Sequence, residues 1–210
     1  MDEAVKKRFD SASKEYVTDR FVWRYRSACL VSKLAEPCSN DIILDIGCGP
    51  GKQIIDLCAS IKQGIGIDIS DGMLEEARKN ARNQNVANVE FHIGTFDKPD
   101  KNCNLKEKHI TKIISNYALH HLSLKEKQQA VGQMIATGGP SLQSIVIGDL
   151  MFFEDPENIQ DEFETTGYVP GIDVPSTVEE MCGCFANTSF VVEAHKLHPL
   201  VGVLIAKKLP

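Results

Sequence analysis

The run Ile42-Ile-Leu-Asp-Ile-Gly-Cys-Gly-Pro-Gly51 constrains the fold more than any other stretch of this chain. Ile42, Ile43, Leu44 and Ile46 form a short, β-branched apolar segment of the kind buried on both faces of a parallel sheet. It stops at Gly47-Cys48-Gly49-Pro50-Gly51, where alternating glycines permit positive φ and leave no Cβ between the backbone and a ligand. From Lys52 onward Ile54, Ile55, Leu57, Cys58 and Ile61 recur at helical spacing. Strand, glycine turn and helix in this order make a nucleotide-type site, with free N–H groups at the helix start.

Two nucleotide sites fit the same residues badly. A phosphate-binding P-loop needs Gly-x-x-x-x-Gly-Lys-Ser/Thr, but Gly51-Lys52 is followed by Gln53, and Ile46 stands where the first glycine belongs. A dinucleotide fingerprint counted from Gly47 would end on Lys52, with Pro50 in the turn, which fits a pyrophosphate badly. What remains is Asp45-x-Gly47-x-Gly49-x-Gly51, with an acid ahead of the glycines. That anion repels a pyrophosphate and suits a cationic ligand. The next strand, Gly64 to Ile69, ends on Asp68. A carboxylate at the tip of strand two is placed to accept from two ribose hydroxyls.

These blocks, with Gly66-Ile-Asp-Ile-Ser-Asp-Gly-Met-Leu74 and Ser115-Asn-Tyr-Ala-Leu-His-His-Leu122, resemble the signature blocks of class I S-adenosylmethionine-dependent methyltransferases, most closely the small-molecule branch. The resemblance implies an α/β, Rossmann-like sheet of seven strands, mostly parallel with an antiparallel last strand, helices on both faces and an amino-terminal helical lid. It also implies S-adenosyl-L-methionine as cofactor. The cofactor-binding residues carried over are Asp45, Gly47, Cys48, Gly49, Gly51, Asp68, Ile69, Met73, Gly94, Thr95, Phe96, Asn116 and Tyr117, with Tyr16 from the amino-terminal helix. In the family an aspartate usually stands where this chain has Thr95, and Asp97 is the nearby carboxylate that substitutes. His120 and His121 follow strand four, where the methyl group should point, and are the candidate catalytic bases.

Along the chain, Val5, Phe9, Ala12 and Tyr16 share one helical face, and a second helical pattern, capped at Thr18-Asp19, runs to Leu34. These helices form the expected lid (residues 1–36) over the sheet core (37–210), in one domain. The lid is expected to present Tyr16, Arg20, Trp23 or Tyr25 to the cleft. Strands are expected at Asn88–Ile93, Ile110–Tyr117, Ser144–Leu150, Phe190–His195 and Leu200–Ala206. Ser70 caps the helix through Met73 and Leu74, Ser123-x-x-Glu126 is a capping box, and Pro175-Ser-Thr177 opens another helix.

A net charge of −6 argues against a nucleic-acid partner, which usually demands a basic face. There is no apolar run of membrane-spanning or signal-peptide length, so a cytoplasmic chain is expected. Seven cysteines, an odd number mostly in apolar patterns, suit a reducing compartment. Cys182-Gly-Cys184 would need a further thiolate to hold a metal, Cys103 being the nearest candidate, and reads as buried helix residues; no metal site is assigned.

Methyl transfer from a sulfonium is an in-line displacement with an activated leaving group, so distance and direction do most of the work. This accounts for a sharp cofactor signature beside a weak catalytic one. The expected function is methyl transfer to a small-molecule acceptor. Methylation of RNA or protein, a non-catalytic S-adenosylmethionine-binding partner subunit, and a nucleotide-dependent oxidoreductase on the same sheet stand as alternatives.

Overall fold

Alternate residues of β1 (Ile42–Ile46) enter two different cores, which is why the whole strand is apolar apart from Asp45. Ile42, Leu44 and Ile46 face one side of the sheet, and Ile43 faces the other. The computed structural model describes residues 3–13, 21–99 and 103–209. In chain order these form α1 (Glu3–Ala12), α2 (Val22–Leu34), β1, α3 (Lys52–Leu57), β2 (Gln63–Asp68), α4 (Asp71–Asn83), β3 (Val89–Ile93), β4 (Lys112–Asn116), α5 (Leu124–Gly138) and β5 (Ser144–Phe152). After these come α6 (Phe163–Thr166), β6 (Ser176–Thr177), α7 (Val178–Gly183), β7 (Phe190–His198) and β8 (Val201–Lys208).

The sheet runs β3-β2-β1-β4-β5-β8-β7. β1 to β5 pair in parallel, and β8 is antiparallel to both β5 and β7. These are the seven expected strands. An eighth, β6, pairs in parallel with the far end of β5, through Met151↔Ser176 and Phe152↔Thr177. It occupies residues read from sequence as the approach to a helix, and Thr177 does both jobs, since it also caps α7 in a box with Glu180. The order of crossovers reverses between β1 and β4, and in open sheets of this kind ligands sit outside the carboxyl ends of the strands at that reversal.

The caps fall where the sequence placed them. Ser70 Oγ accepts from Met73 N–H, and Ser123 and Glu126 form a reciprocal box at the start of α5. The Thr18-Asp19 cap, with Tyr16 and Arg20, lies outside the described residues. Among the described residues no helix is long and apolar enough to cross a membrane.

The two leading helices are held differently. α1 meets α4, whereas α2 lies on β4, β5 and β8 with Ser27 and Val31 fully buried. Ser27 Oγ donates to Asn116 Oδ1 (2.7 Å) directly over Gly148. A Cβ at Gly148 would come within 2.2 Å of Ser27 Oγ and 2.5 Å of Asn116 Oδ1, so no larger residue fits beneath that pair. Gly148→Ala is therefore expected to cost about 1–3 kcal/mol by overpacking, read as a lower urea midpoint at unchanged slope. An unchanged midpoint would mean that α2 is seated elsewhere.

Candidate active site

The cleft at the strand reversal has a volume of about 390 Å³, within the range that holds a small ligand. Its floor is the turn after β1. Gly47, Gly49 and Gly51 have φ of +77°, +52° and +77°, all left-handed, which only glycine adopts without strain. Gly47 and Cys48 N–H donate to Ile67 O (2.8 and 3.0 Å), tying the turn to β2. The three glycines then divide their work. A Cβ at Gly47 would strike Ala118 Cβ at 2.6 Å, while Gly49 has open space before it and faces the cleft. Gly51 was expected to contact the cofactor, but it does not line the cleft. It lets α3 pack against Ala77 and Phe91, each 2.9 Å from where its Cβ would stand.

Asp45 and Asp68 both line this cleft. Asp45 is 2% exposed, and burial together with the Asp68 charge pushes its carboxyl up to about 8. Asp68 is also raised by burial, against the pull of backbone donors. Its Oδ2 accepts from Gly49 N–H and its Oδ1 from Ser70 N–H, both at 2.9 Å. A carboxylate offers about four lone-pair directions, so capacity remains for a hydroxyl donor. The same two acids and its own burial raise the Cys48 thiol. Two partly neutralised carboxyls in one low-dielectric cleft are an environment that a cation relieves.

Ile69, Met73, Gly94, Thr95, Phe96, Asn116, Tyr117 and His121 also line the cleft, as the sequence led one to expect. Asp97 does not. Its carboxylate is exposed and held low by a hydrogen bond from Thr95, so it offers no substitute for the family's aspartate. The Asn116 amide is engaged with α2, accepting from Ser27 and donating to Arg24 O (3.4 Å), and so serves the wall. Tyr117 sits at φ +55°, a rare conformation for a bulky side chain, and its buried hydroxyl has no hydrogen-bond partner among the described residues. Arg24 lies 5.1 Å over its ring. Tyr25 reaches the cleft, while Trp23 turns away onto His198 (ring centroids 4.7 Å apart).

The histidines occupy the short 3₁₀ turn Leu119–His121 after β4. They are not equivalent. His121 is on the cleft wall, and its buried ring is pushed below the ordinary imidazole range by desolvation. His120 is 4% exposed, absent from the wall, and its Nδ1 is bonded to Asp149 Oδ1. The sequence reading grouped the two as bases; the structure makes His120 a buried neighbour behind His121. Burial alone would raise Asp149, but the His120 charge and hydrogen bond, with Leu150 N–H, bring it below the usual carboxylate range. Asp149 Oδ2 also accepts from Leu119 and His120 N–H (2.7 and 3.1 Å).

Asp149 and Asp173 were missed from sequence. A charged residue within the apolar run Ile145 to Met151 was the visible signal for Asp149. Nothing local marks Asp173, which reaches the histidines on a loop that returns from α6. That loop is pinned by Val174 N–H to His120 O (2.6 Å) and by the buried Lys127 Nζ, which donates to Val174 O and to Ser176 Oγ (2.9 Å). None of the seven cysteines is in a disulfide, and Cys182 and Cys184 join no metal-type cluster among the described residues.

With this geometry in view, comparison with known proteins agrees. Residues 43–139 match the methyltransferase domain family. A methyltransferase of Oceanobacillus iheyensis is 28% identical over 81% of this chain and 79% of its own length. A 23S rRNA (uracil-C5)-methyltransferase of Pasteurella multocida is 31% identical, over 40% of this chain and 21% of its own. The crystal structure of magnesium protoporphyrin IX methyltransferase from Synechocystis, with bound S-adenosylhomocysteine, superposes with a TM-score of 0.71 at 16% identity, covering 98% of this chain and 99% of that one. The glycine turn, the paired acids and the sheet order thus agree with the match of residues 43–139 to a methyltransferase domain, and the chain has the fold of methyltransferases solved with S-adenosylhomocysteine bound.

Proposed function

We propose that this chain transfers the methyl group of S-adenosyl-L-methionine to a small-molecule acceptor. The observation that carries the reading is the convergence of the buried Asp45 and the half-buried Asp68 on one cleft beside a left-handed glycine turn. Asp45 balances the cofactor's cationic groups, Asp68 accepts from the ribose hydroxyls, and Ile69 and Met73 pack on the base. Gly47, Cys48, Gly49, Gly94, Thr95 and Phe96 complete that half, and Asn116 and Tyr117 shape the wall between it and the acceptor. When bound, the sulfonium supplies an activated methyl group for in-line displacement. The protein's task is then to position the acceptor, exclude water and, where the acceptor must lose a proton, receive it. His121 is the imidazole on the cleft wall for that step, and Asp149 fixes His120 behind it.

A small acceptor suits a cleft whose mouth is bounded by Phe9, Tyr25 and Cys29 from the two leading helices. It also suits the net charge of −6. Seven cysteines without a disulfide among them fit a reducing, cytoplasmic setting. An RNA acceptor is the second reading, favoured by a similarity that spans 40% of the chain.

Two measurements test this. Titration calorimetry is expected to show S-adenosylmethionine and S-adenosylhomocysteine binding in the micromolar range; no heat at millimolar cofactor ends the reading. Tritiated-methyl transfer is then run against small metabolites, RNA and protein extracts. Label in the small-molecule fraction supports the proposal, and label in RNA replaces it. Tight cofactor binding with no transfer to any fraction would instead describe a partner subunit.

A further inference from the structure

We propose that His120 Nε2, His121 Nδ1 and Asp173 Oδ1 form a binding site for a divalent first-row transition metal ion, zinc being the probe of choice, at the acceptor end of the cleft. These three atoms lie within 4.8 Å of one another on residues that are at most 10% exposed at the side chain. Asp173 Oδ1 stands 3.2 Å from His121 Nδ1 and 3.8 Å from His120 Nε2. Among the described residues no donor meets this buried oxygen in good hydrogen-bond geometry, and its approach to the two imidazoles is chiefly electrostatic. A buried carboxylate oxygen left without a partner is costly, whereas its sister Oδ2 accepts from Val169 N–H at 2.8 Å. The orphan points at two imidazole nitrogens, and an ion among the three satisfies it.

The separations suit this. Metal–nitrogen and metal–oxygen bonds of about 2.0–2.1 Å in a tetrahedral site place ligand atoms roughly 3.3 Å apart. The observed 3.2 and 3.8 Å from Asp173 Oδ1 are near that figure, and the two imidazole nitrogens lie within 4.8 Å of each other. The surroundings are also those of a metal ligand set. Metal-bound imidazoles commonly give their other nitrogen to a carboxylate, and His120 Nδ1 is held by Asp149, which three backbone N–H groups fix in turn. Asp173 is fixed on its own side by the Val174–His120 and Lys127 contacts that tie its loop to the 3₁₀ turn. Two imidazoles and one carboxylate select zinc or its first-row neighbours over magnesium or calcium, which take oxygen sets. Three protein ligands leave a position open, as catalytic zinc sites do, and His121 places that opening on the cleft. Under the methyl-transfer reading, and resting on it, the ion would ligate an acceptor oxygen and ease its deprotonation, so that His121 need not act as the base.

The test uses the full chain after treatment with a chelator. Calorimetric titration with zinc chloride is expected to show one equivalent bound, with magnesium giving none. Cobalt substituted at the site is expected to show ligand-field bands without a thiolate charge-transfer band. Asp173→Asn and His121→Ala are expected to weaken zinc binding at least tenfold, and Asp149→Asn by about 10–100-fold as an outer-sphere support. His109→Ala, remote from the cluster, should change nothing. Because variants can misfold, the wild-type histidine ring ¹⁵N resonances provide a second readout, and those of His120 and His121 should shift on adding zinc. Unshifted rings, wild-type affinity in both ligand variants, or a thiolate band from cobalt would each overturn the site. Cofactor titration in the same samples keeps the two proposals apart, since a wild-type chain that takes up no zinc but still binds the cofactor sinks only this one.

Discussion

Asp45→Asn is expected to lose cofactor binding and at the same time to stabilise the cofactor-free chain. The first effect follows from removing one partner of a buried charge pair, about 3 kcal/mol or on the order of a hundredfold in Kd. The second follows from the carboxyl being raised from 3.8 to about 8 by burial and by Asp68. Between those values the native state holds a proton that the unfolded chain releases, so stability falls as pH rises through this window. The amide carries no charge and escapes the loss. At pH 8 the variant should melt several degrees higher than wild type, reflecting roughly 1–3 kcal/mol. Binding should show the complementary sign. A cationic ligand favours ionised Asp45, so below about pH 8 association releases a proton and tightens with pH, by as much as tenfold per unit at full release. Calorimetry in buffers of different ionisation enthalpy counts that proton, and the variant should release none. Equal proton release in both proteins would remove Asp45 from the site.

Asp68→Ala is expected to lose cofactor affinity by a similar factor while moving stability the other way. Its carboxylate accepts from Gly49 and Ser70 N–H, and truncation strands both donors, one in the glycine turn and one at the cap of α4. Leaving them unpaired costs about 1–3 kcal/mol, seen as a Tm lower by several degrees. The pair of variants therefore separates the two acids: both weaken the cofactor, one raises Tm and the other lowers it. Wild-type affinity in Asp68→Ala would show that the ribose hydroxyls go elsewhere.

How much of this was readable without coordinates depended on distance along the chain. The strand tips that line the cleft were legible because strand, glycine turn, helix and the acid of the next strand are consecutive, and each carries its own local chemistry. The caps at Ser70, Ser123 and Thr177 were legible for the same reason. Gly51 was misread because a left-handed φ looks the same in sequence whether it serves a ligand or the packing of Ala77 and Phe91. Asp97 was offered as a substitute on proximity in sequence alone, and the turn after β3 carries it out to solvent. The acceptor half was largely hidden. Asp173 meets the histidines only because Lys127, far away in sequence, and a backbone bond to His120 hold its loop there. The two-residue β6 depends on the same loop returning to β5.

The two leading helices bound the cleft with unlike anchorage. α2 cannot lift without exposing Val31 and breaking the Ser27–Asn116 bond over the sheet. α1 is tied to the start of α4 by Ser70 Oγ and Gly72 N–H donating to Asp10, and by an ion pair from Lys6 to the exposed Asp71. Contacts of that ionic kind are worth little at the surface and fade with salt. Raised ionic strength should accordingly loosen the grip of α1 on α4 while leaving α2 seated on the sheet.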